Sequence, residues 1–377
     1  MNENYLREFF EDLHRHPELS FEERRTTQKI KEALLKAQIE LAAAALPTGA
    51  VGVIGKQGPV IALRADIDAL PVQEESALTY RSEVPGKMHA CGHDFHSAVI
   101  LGAALLLKER EAELKGRVKV LFQPAEEAPG GAAQVLKSGV LSDVQAIFGV
   151  HTIPTFAPGT LAIREGATHA AVDKFALTFK GKGTHAAHPD LGIDTTVVAA
   201  HFICAVQTIV SRNSSPFAAN LVSVTHVEAG STWNVIPEQV FVEGTVRTLD
   251  EQERAKVKDR LENLATAIAQ GFGAEVTIDW VVGVNAMQND RELSDFATRL
   301  AREDGFAVVR SPQSLGGEDF ALYEQRIKGA FIQIGTGPSA PNHNPRFVAD
   351  QKALVPASYF MAHLAQSYLE SLGHEQH

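Results

Sequence analysis

Val118-Lys119-Val120-Leu121-Phe122 is followed, after a polar turn, by a helical stretch over Ala132 to Lys137 and then by Ala146-Ile147-Phe148-Gly149-Val150. Both apolar runs are short, which suits buried strands, and a helix between them returns the chain so that the second strand runs parallel to the first. The pattern repeats outward. Upstream lie amphipathic helices near Tyr5 to His14 and Arg24 to Ala37, the run Pro59-Val60-Ile61-Ala62-Leu63, and a helix from about Phe95 to Lys108. Downstream come a helix over Glu292 to Asp304, the run Ala330-Phe331-Ile332-Gln333-Ile334 and a C-terminal helix from about Val355. Short strands alternating with helices predict an α/β fold with a mainly parallel sheet covered on both faces.

Between these two portions the pattern changes. From Asp173, Phe175, Leu177 and Phe179 alternate with Lys174, Thr178 and Lys180, a strand buried on one face only. A helix over Thr195 to Val210, strands over Leu221 to Val227 and Val240 to Val246, a helix opened by the capping-box pattern Thr248-Leu249-Asp250-Glu251, and a strand over Glu275 to Val281 complete a β-α-β-β-α-β order. The expected arrangement is a discontinuous parallel-sheet domain built from residues 1–172 and 285–377, with a ferredoxin-like α+β domain, residues 173–284, inserted between them.

Of the 377 residues 45% are hydrophobic and 21% charged, enough for a large core, and the formal charge is −11. That balance argues against nucleic acid or an anionic membrane as partner, since either needs a basic face, and leaves small molecules. Met1 to Glu8 is polar and acidic, unlike a signal peptide, and apolar runs such as Ala98 to Leu107 are short of a bilayer span, so a cytoplasmic protein is expected. Only two cysteines occur. Cys204, in the apolar run His201 to Val206, reads as core packing. Cys91, among polar residues, asks for another explanation.

Polar clusters follow the apolar strands: Arg64-Ala65-Asp66-Ile67-Asp68, His89-Ala90-Cys91-Gly92-His93-Asp94, Gln123-Pro124-Ala125-Glu126-Glu127, His151, and Asn342-His343-Asn344. The crevice beyond the carboxyl ends of parallel strands is where such clusters converge. Cys91 and His93, two apart in a Gly-containing loop, can point a thiolate and an imidazole at one ion, with Glu127, His151 and His343 supplying the rest. Of the adjacent Glu126 and Glu127, expected to point in different directions, one can bind metal while the other moves protons; residue types alone do not say which. Asp66 and Asp68 face the same way and can orient the ligand histidines.

These segments, with Gly316-Gly317-Glu318-Asp319-Phe320, resemble the signatures of the M20 metallopeptidase family, in particular its amidohydrolase branch of aminoacylases, hippurate hydrolases, N-acetyldiaminopimelate deacetylases and indole-acetyl-amino-acid hydrolases. The resemblance implies two divalent metal ions per subunit held by Cys91, His93, Glu127, His151 and His343, with manganese ahead of zinc, cobalt or nickel, and Glu126 as general base. Asp66 and Asp68 then support the catalytic site. The inserted domain resembles the family's lid and dimerisation domain, implying a homodimer or higher homo-oligomer. His185, within Gly181 to Pro189, matches the residue that stabilises the oxyanion; His188 reads as a surface histidine. Asn234, Arg247 and Gly317 match positions at the substrate. The implied reaction is removal of an acyl, first of all an acetyl, group from an N-acyl amino acid. A dipeptidase or aminopeptidase is the alternative enzyme, and a catalytically idle metal-binding protein the alternative of another class.

Overall fold

The computed structural model describes residues 1–374, which divide into two compact units. The first comprises Met1–Gly166, Gln288–Pro312 and residues 322–374; the second comprises Ala167–Met287 and Gln313–Ala321.

The first unit is built on an eight-stranded sheet in the order Glu40–Leu41, Ala50–Ile54, Arg117–Gln123, Val60–Asp66, Val144–Ile153, Lys328–Gly335, Thr160–Ile163, Ala307–Arg310. The four central strands are mutually parallel, while Ala50–Ile54 joins Arg117–Gln123 antiparallel. Val60–Asp66 is buried along its whole length, as a central parallel strand must be. The strand-helix-strand reading of residues 118–150 appears as Arg117–Gln123, Gly131–Lys137 and Val144–Ile153. Glu40–Leu41, Thr160–Ile163 and Ala307–Arg310 are too short to stand out in the sequence, whereas Ala50–Ile54 is an apolar run that the sequence reading does not single out.

Helix His93–Glu109 is almost wholly buried and packs on Val60–Asp66 and on helix Leu354–His374. It begins two residues before the apolar pattern does. Gly92 takes a left-handed φ of 84° at its start, and a Cβ there would lie 2.7 Å from Thr152 Cγ2, so only glycine fits. Polar His93, Asp94 and His96 therefore sit in the first turn, inside the protein.

The second unit has a four-stranded antiparallel sheet in the order Asn220–Ala229, Gln239–Thr248, Ala171–Lys180, Glu275–Val282, with helices Thr195–Thr208 and Glu251–Gly271 packed against it. This is the ferredoxin-like order. Phe175, Leu177 and Phe179 are buried in its core with Phe202, Val206 and Leu261. Two local expectations are corrected. Thr248 is the last residue of a strand, and Asp250 caps the following helix by accepting from the Gln252 and Glu253 amides. Cys204 is exposed: Val198, Phe202, Val206 and Ile209 form the buried stripe and Cys204 falls outside it. By length and composition Thr195–Asn213 could cross a bilayer, yet that stripe is packed into this core.

A buried ion pair ties strand to helix in this unit. Arg254 donates from Nε and Nη2 to the two carboxylate oxygens of Asp173 at 2.9 and 2.6 Å. Asp173→Ala would leave the guanidinium with Glu251 as its remaining anion, so a loss of about 3 kcal/mol is expected, the low end for breaking a buried pair. Urea unfolding measures it; a loss under about 1 kcal/mol would mean the pair behaves as a surface one.

Candidate metal centre

Asp66, the Pro124 to Glu127 loop, His151 and the loop after Gly335 all lie at the carboxyl ends of the four parallel strands. Donor atoms converge there. Cys91 Sγ lies 3.4 Å from His151 Nε2, and His343 Nε2 lies 3.1 Å from Glu127 Oε1. His93 Nε2 lies 4.0 Å from Glu126 Oε2 and 3.9 Å from Glu127 Oε1. Cys91, His93 and His151 form one three-donor group; Cys91, Glu127 and His343 form a second, so the thiolate belongs to both.

Each donor is aimed by a contact behind it. His151 Nδ1 donates to the Thr152 carbonyl at 2.8 Å, which leaves the Nε2 lone pair facing Cys91. His93 Nδ1 is 3.2 Å from Asp68 Oδ1, so its Nε2 faces the donors. Asp68 also accepts the amides of Glu126 and Glu127, both at 3.0 Å, and the Ser20 hydroxyl at 2.7 Å. This grip, with Ala125 at a left-handed φ of 51°, brings both glutamates toward the same imidazole. The expectation that their side chains diverge is thus overturned: it assumed extended backbone, and the chain turns here. The His343 loop is docked by its own amide on the Ala90 carbonyl at 2.8 Å and by Asn342 Nδ2 on the Cys91 carbonyl at 3.2 Å.

His96 was not singled out from the sequence, although it lies one turn after His93. Its Nε2 accepts the Thr152 amide at 2.7 Å and its Nδ1 donates to Asp66 at 2.6 Å; burial pushes its pKa down to about 3, so it stays neutral. Asp66, His93 and His96 also form a three-donor group, but Asp66 is already engaged by His96 and by Arg64 Nη1 at 2.7 Å. Asp66 is therefore placed to support His96, and through Thr152 the strand that carries His151.

The remaining charges suit a cation. Burial would raise the Asp66 and Glu127 pKa values, but the surrounding imidazoles, with Arg64 at Asp66, hold both down. Burial likewise opposes ionisation of Cys91, yet His151, His343 and His93 bring its thiol down to about 6. Hydrogen bonding to Cys91 and Glu127 lifts His343 to about 10, so this ring holds a proton that a bound cation would displace. His93 Nε2 is buried without a hydrogen-bond partner among the described residues. An orphaned ring nitrogen facing two carboxylates is what a bound divalent ion would satisfy.

The other sequence candidates lie in the second unit. His185 pairs in a short antiparallel ladder with Val235, beside Asn234, whose carbonyl accepts the Ala186 amide at 3.0 Å. The Ala187 amide donates to His185 Nδ1 at 3.0 Å, so the hydrogen sits on Nε2 of an exposed ring. His188 is exposed, as expected. Arg247 lies on strand Gln239–Thr248; burial lowers its pKa, and one guanidinium nitrogen has no hydrogen-bond partner among the described residues. Gly317 has a packing reason of its own, since a Cβ would lie 2.6 Å from Val172 Cγ2.

A parallel sheet whose carboxyl edge gathers a thiolate, imidazoles and two carboxylates around one space defines a metallohydrolase. The chain belongs to peptidase family M20/M25/M40, whose model matches residues 62–367. It is similar to an N-acetylcysteine deacetylase of Bacillus subtilis (strain 168), 47% identical over 364 residues and covering 96% of each chain. An N-acetyl-L-cysteine deacetylase of the same organism is 44% identical over 361 residues, 95% of this chain and 87% of that one. The crystal structure of the Bacillus subtilis YXEP protein, a dinuclear metal binding peptidase from the M20 family, matches with a TM-score of 0.89 and 44% identity, covering 98% of each chain.

One buried network away from the donors also steadies the His93 helix. His14 lies 2.6 Å from Asp94 by Nδ1 and 3.2 Å from Glu74 by Nε2. Burial would lower its pKa, but the two carboxylates raise it to about 9. A raised folded pKa stabilises fully below the ordinary value of 6.5 and is lost as pH climbs through about 9. The stability gap between the protein and His14→Gln, followed by urea unfolding, is expected to be full at low pH and to shrink across that window; a pH-independent gap would contradict a charged His14.

Proposed function

We propose that this chain is a metal-dependent amidohydrolase that removes the acyl group, first of all acetyl, from N-acyl amino acids by attack of a water activated at the metal site. The observation that carries this reading is the pair of three-donor groups sharing Cys91, with Glu126 reaching the same imidazole, His93. The N-acetylcysteine deacetylases among its relatives support acetyl as the acyl group.

In this reading Cys91, His93, Glu127, His151 and His343 hold two divalent cations. Manganese is the working choice, which the Glu127 carboxylate suits; zinc, cobalt and nickel, which the imidazoles and the thiolate suit, are the competitors. When bound, the cations would polarise the acyl carbonyl and lower the pKa of a water. Glu126 takes that water's proton and passes it to the leaving nitrogen. Asp68 holds the glutamate amides and the His93 ring so that this proton path does not have to be organised at each turnover. His185, with its Nε2 hydrogen outward, donates to the oxygen where charge develops, and Asn234 supports it. Arg247 grips the substrate carboxylate, consistent with its unpartnered nitrogen, and Gly317 lets the substrate backbone approach.

The ferredoxin-like region serves in this reading as lid and as dimerisation surface: the exposed edge strand Asn220–Ala229 supports a homodimer or higher homo-oligomer. The acidic balance and the free cysteines support a cytoplasmic location.

Glu126→Gln is expected to cut kcat by at least about 100-fold with bound metal unchanged by elemental analysis. Substantial residual turnover would remove the base assignment. A panel of N-acetyl, N-benzoyl and dipeptide substrates with manganese added should show N-acyl amino acids cleaved and activity abolished by a chelator. Cleavage confined to dipeptides would overturn the substrate class.

A further inference from the structure

Behind the Glu126 loop lies a buried carboxyl group to which the chemistry above gives no part. Glu23 is 0% exposed. Its Oε1 accepts the Ala125 amide at 2.8 Å and its Oε2 the Thr48 hydroxyl at 2.7 Å. Among the described residues it makes no ion pair, which is costly for a group removed from water and calls for a reason. Burial accordingly pushes its pKa up.

The residue it holds is the strained one. Ala125 is a fully buried alanine at φ 51°, a conformation L-residues avoid and keep only where the surroundings impose it. Its other side is closed by Gly131, where a Cβ would lie 2.3 Å from the Ala125 carbonyl oxygen and 2.2 Å from that of Pro124. The next two residues are Glu126 and Glu127, and the turn at Ala125 carries their amides onto Asp68. The segment that bears Glu23 reaches Asp68 independently: Ser20 donates to its Oδ2, and the Glu18 carbonyl accepts the Ala69 amide at 2.8 Å. Residues 18–23 thus touch both ends of the arrangement that aims the two glutamates.

We propose that Glu23 is a positioning residue for the hydrolysis: by holding the Ala125 amide it keeps Ala125 left-handed and so directs Glu126 and Glu127 together toward His93. This rests on the reading of Glu126 as base and Glu127 as metal ligand.

The test measures kcat, KM and bound metal for three variants on an N-acetyl amino acid with manganese. Glu23→Ala should lower kcat about 10- to 100-fold, the scale of a small misplacement of a reacting group, while KM moves less than about threefold. Glu23→Gln keeps an oxygen for the Ala125 amide and should recover most of the loss. Ala125→Gly in the Glu23→Ala background should recover part of it, because glycine takes a positive φ without the anchor. If Glu23→Ala does not fold, Glu23→Met, which keeps the volume and removes the acceptor, takes its place. A kcat within about twofold of the parent for the variant lacking the acceptor, or failure of either Gln or Gly to raise it, overturns the proposal. Glu126→Gln assayed alongside separates the two ideas: if it stays active the functional reading has failed, and if it is inert while Glu23→Ala is unaffected only this inference has.

Discussion

One buried carboxylate organises the centre. Asp68, 1% exposed, lies 3.2 Å from the His93 ring nitrogen and accepts the Ser20 hydroxyl and two successive backbone amides. A carboxylate taken out of water is tolerable only when its lone pairs are filled, so the four donors must converge on it. They come from separate parts of the chain: the Ser20 turn, the first turn of the His93 helix, and the loop after strand Arg117–Gln123. Satisfying one charge therefore brings together the His93 imidazole and the Glu126 and Glu127 carboxylates. The glycine at 92 and the left-handed alanine at 125 are the backbone concessions that let this happen.

A second chain of contacts serves the strand that carries His151. Arg64 neutralises Asp66, Asp66 fixes the His96 tautomer, and neutral His96 receives the amide of Thr152, next to His151. Thr152 and Asn342 both donate to the Cys91 carbonyl, which ties the cysteine loop to the His343 loop. The donors facing the centre are thus few, and most of the buried polar groups around it serve to hold them. Such support determines whether five side chains from distant positions share one space within a few tenths of an ångström.

Much of the architecture was legible. The apolar runs around Val60, Val118, Ala146 and Ala330 are the central parallel strands, because a strand covered on both faces must be apolar throughout. The alternation at Phe175, Leu177 and Phe179 is likewise a local signal of a half-buried sheet. The short strands Glu40–Leu41, Thr160–Ile163 and Ala307–Arg310 carry no such signal, since their pairing depends on neighbours distant in sequence. Cys204 was misread because an apolar run conceals which side of a helix is covered, and the cap at Asp250 was misplaced because a strand runs on through Thr248.

The sequence by itself determined the parallel-sheet class, the ferredoxin-like order of the inserted region and the chemical types gathered at the strand ends, because burial periodicity and side-chain chemistry are local properties. Only the tertiary structure decided that Glu126 and Glu127 turn the same way, that His96 supports the His151 strand, which it does not adjoin in sequence, and that Glu23 and Ser20 stand behind the centre. Those outcomes follow from long-range satisfaction of buried polar groups, and which distant donor meets which buried acceptor is not written in any one segment.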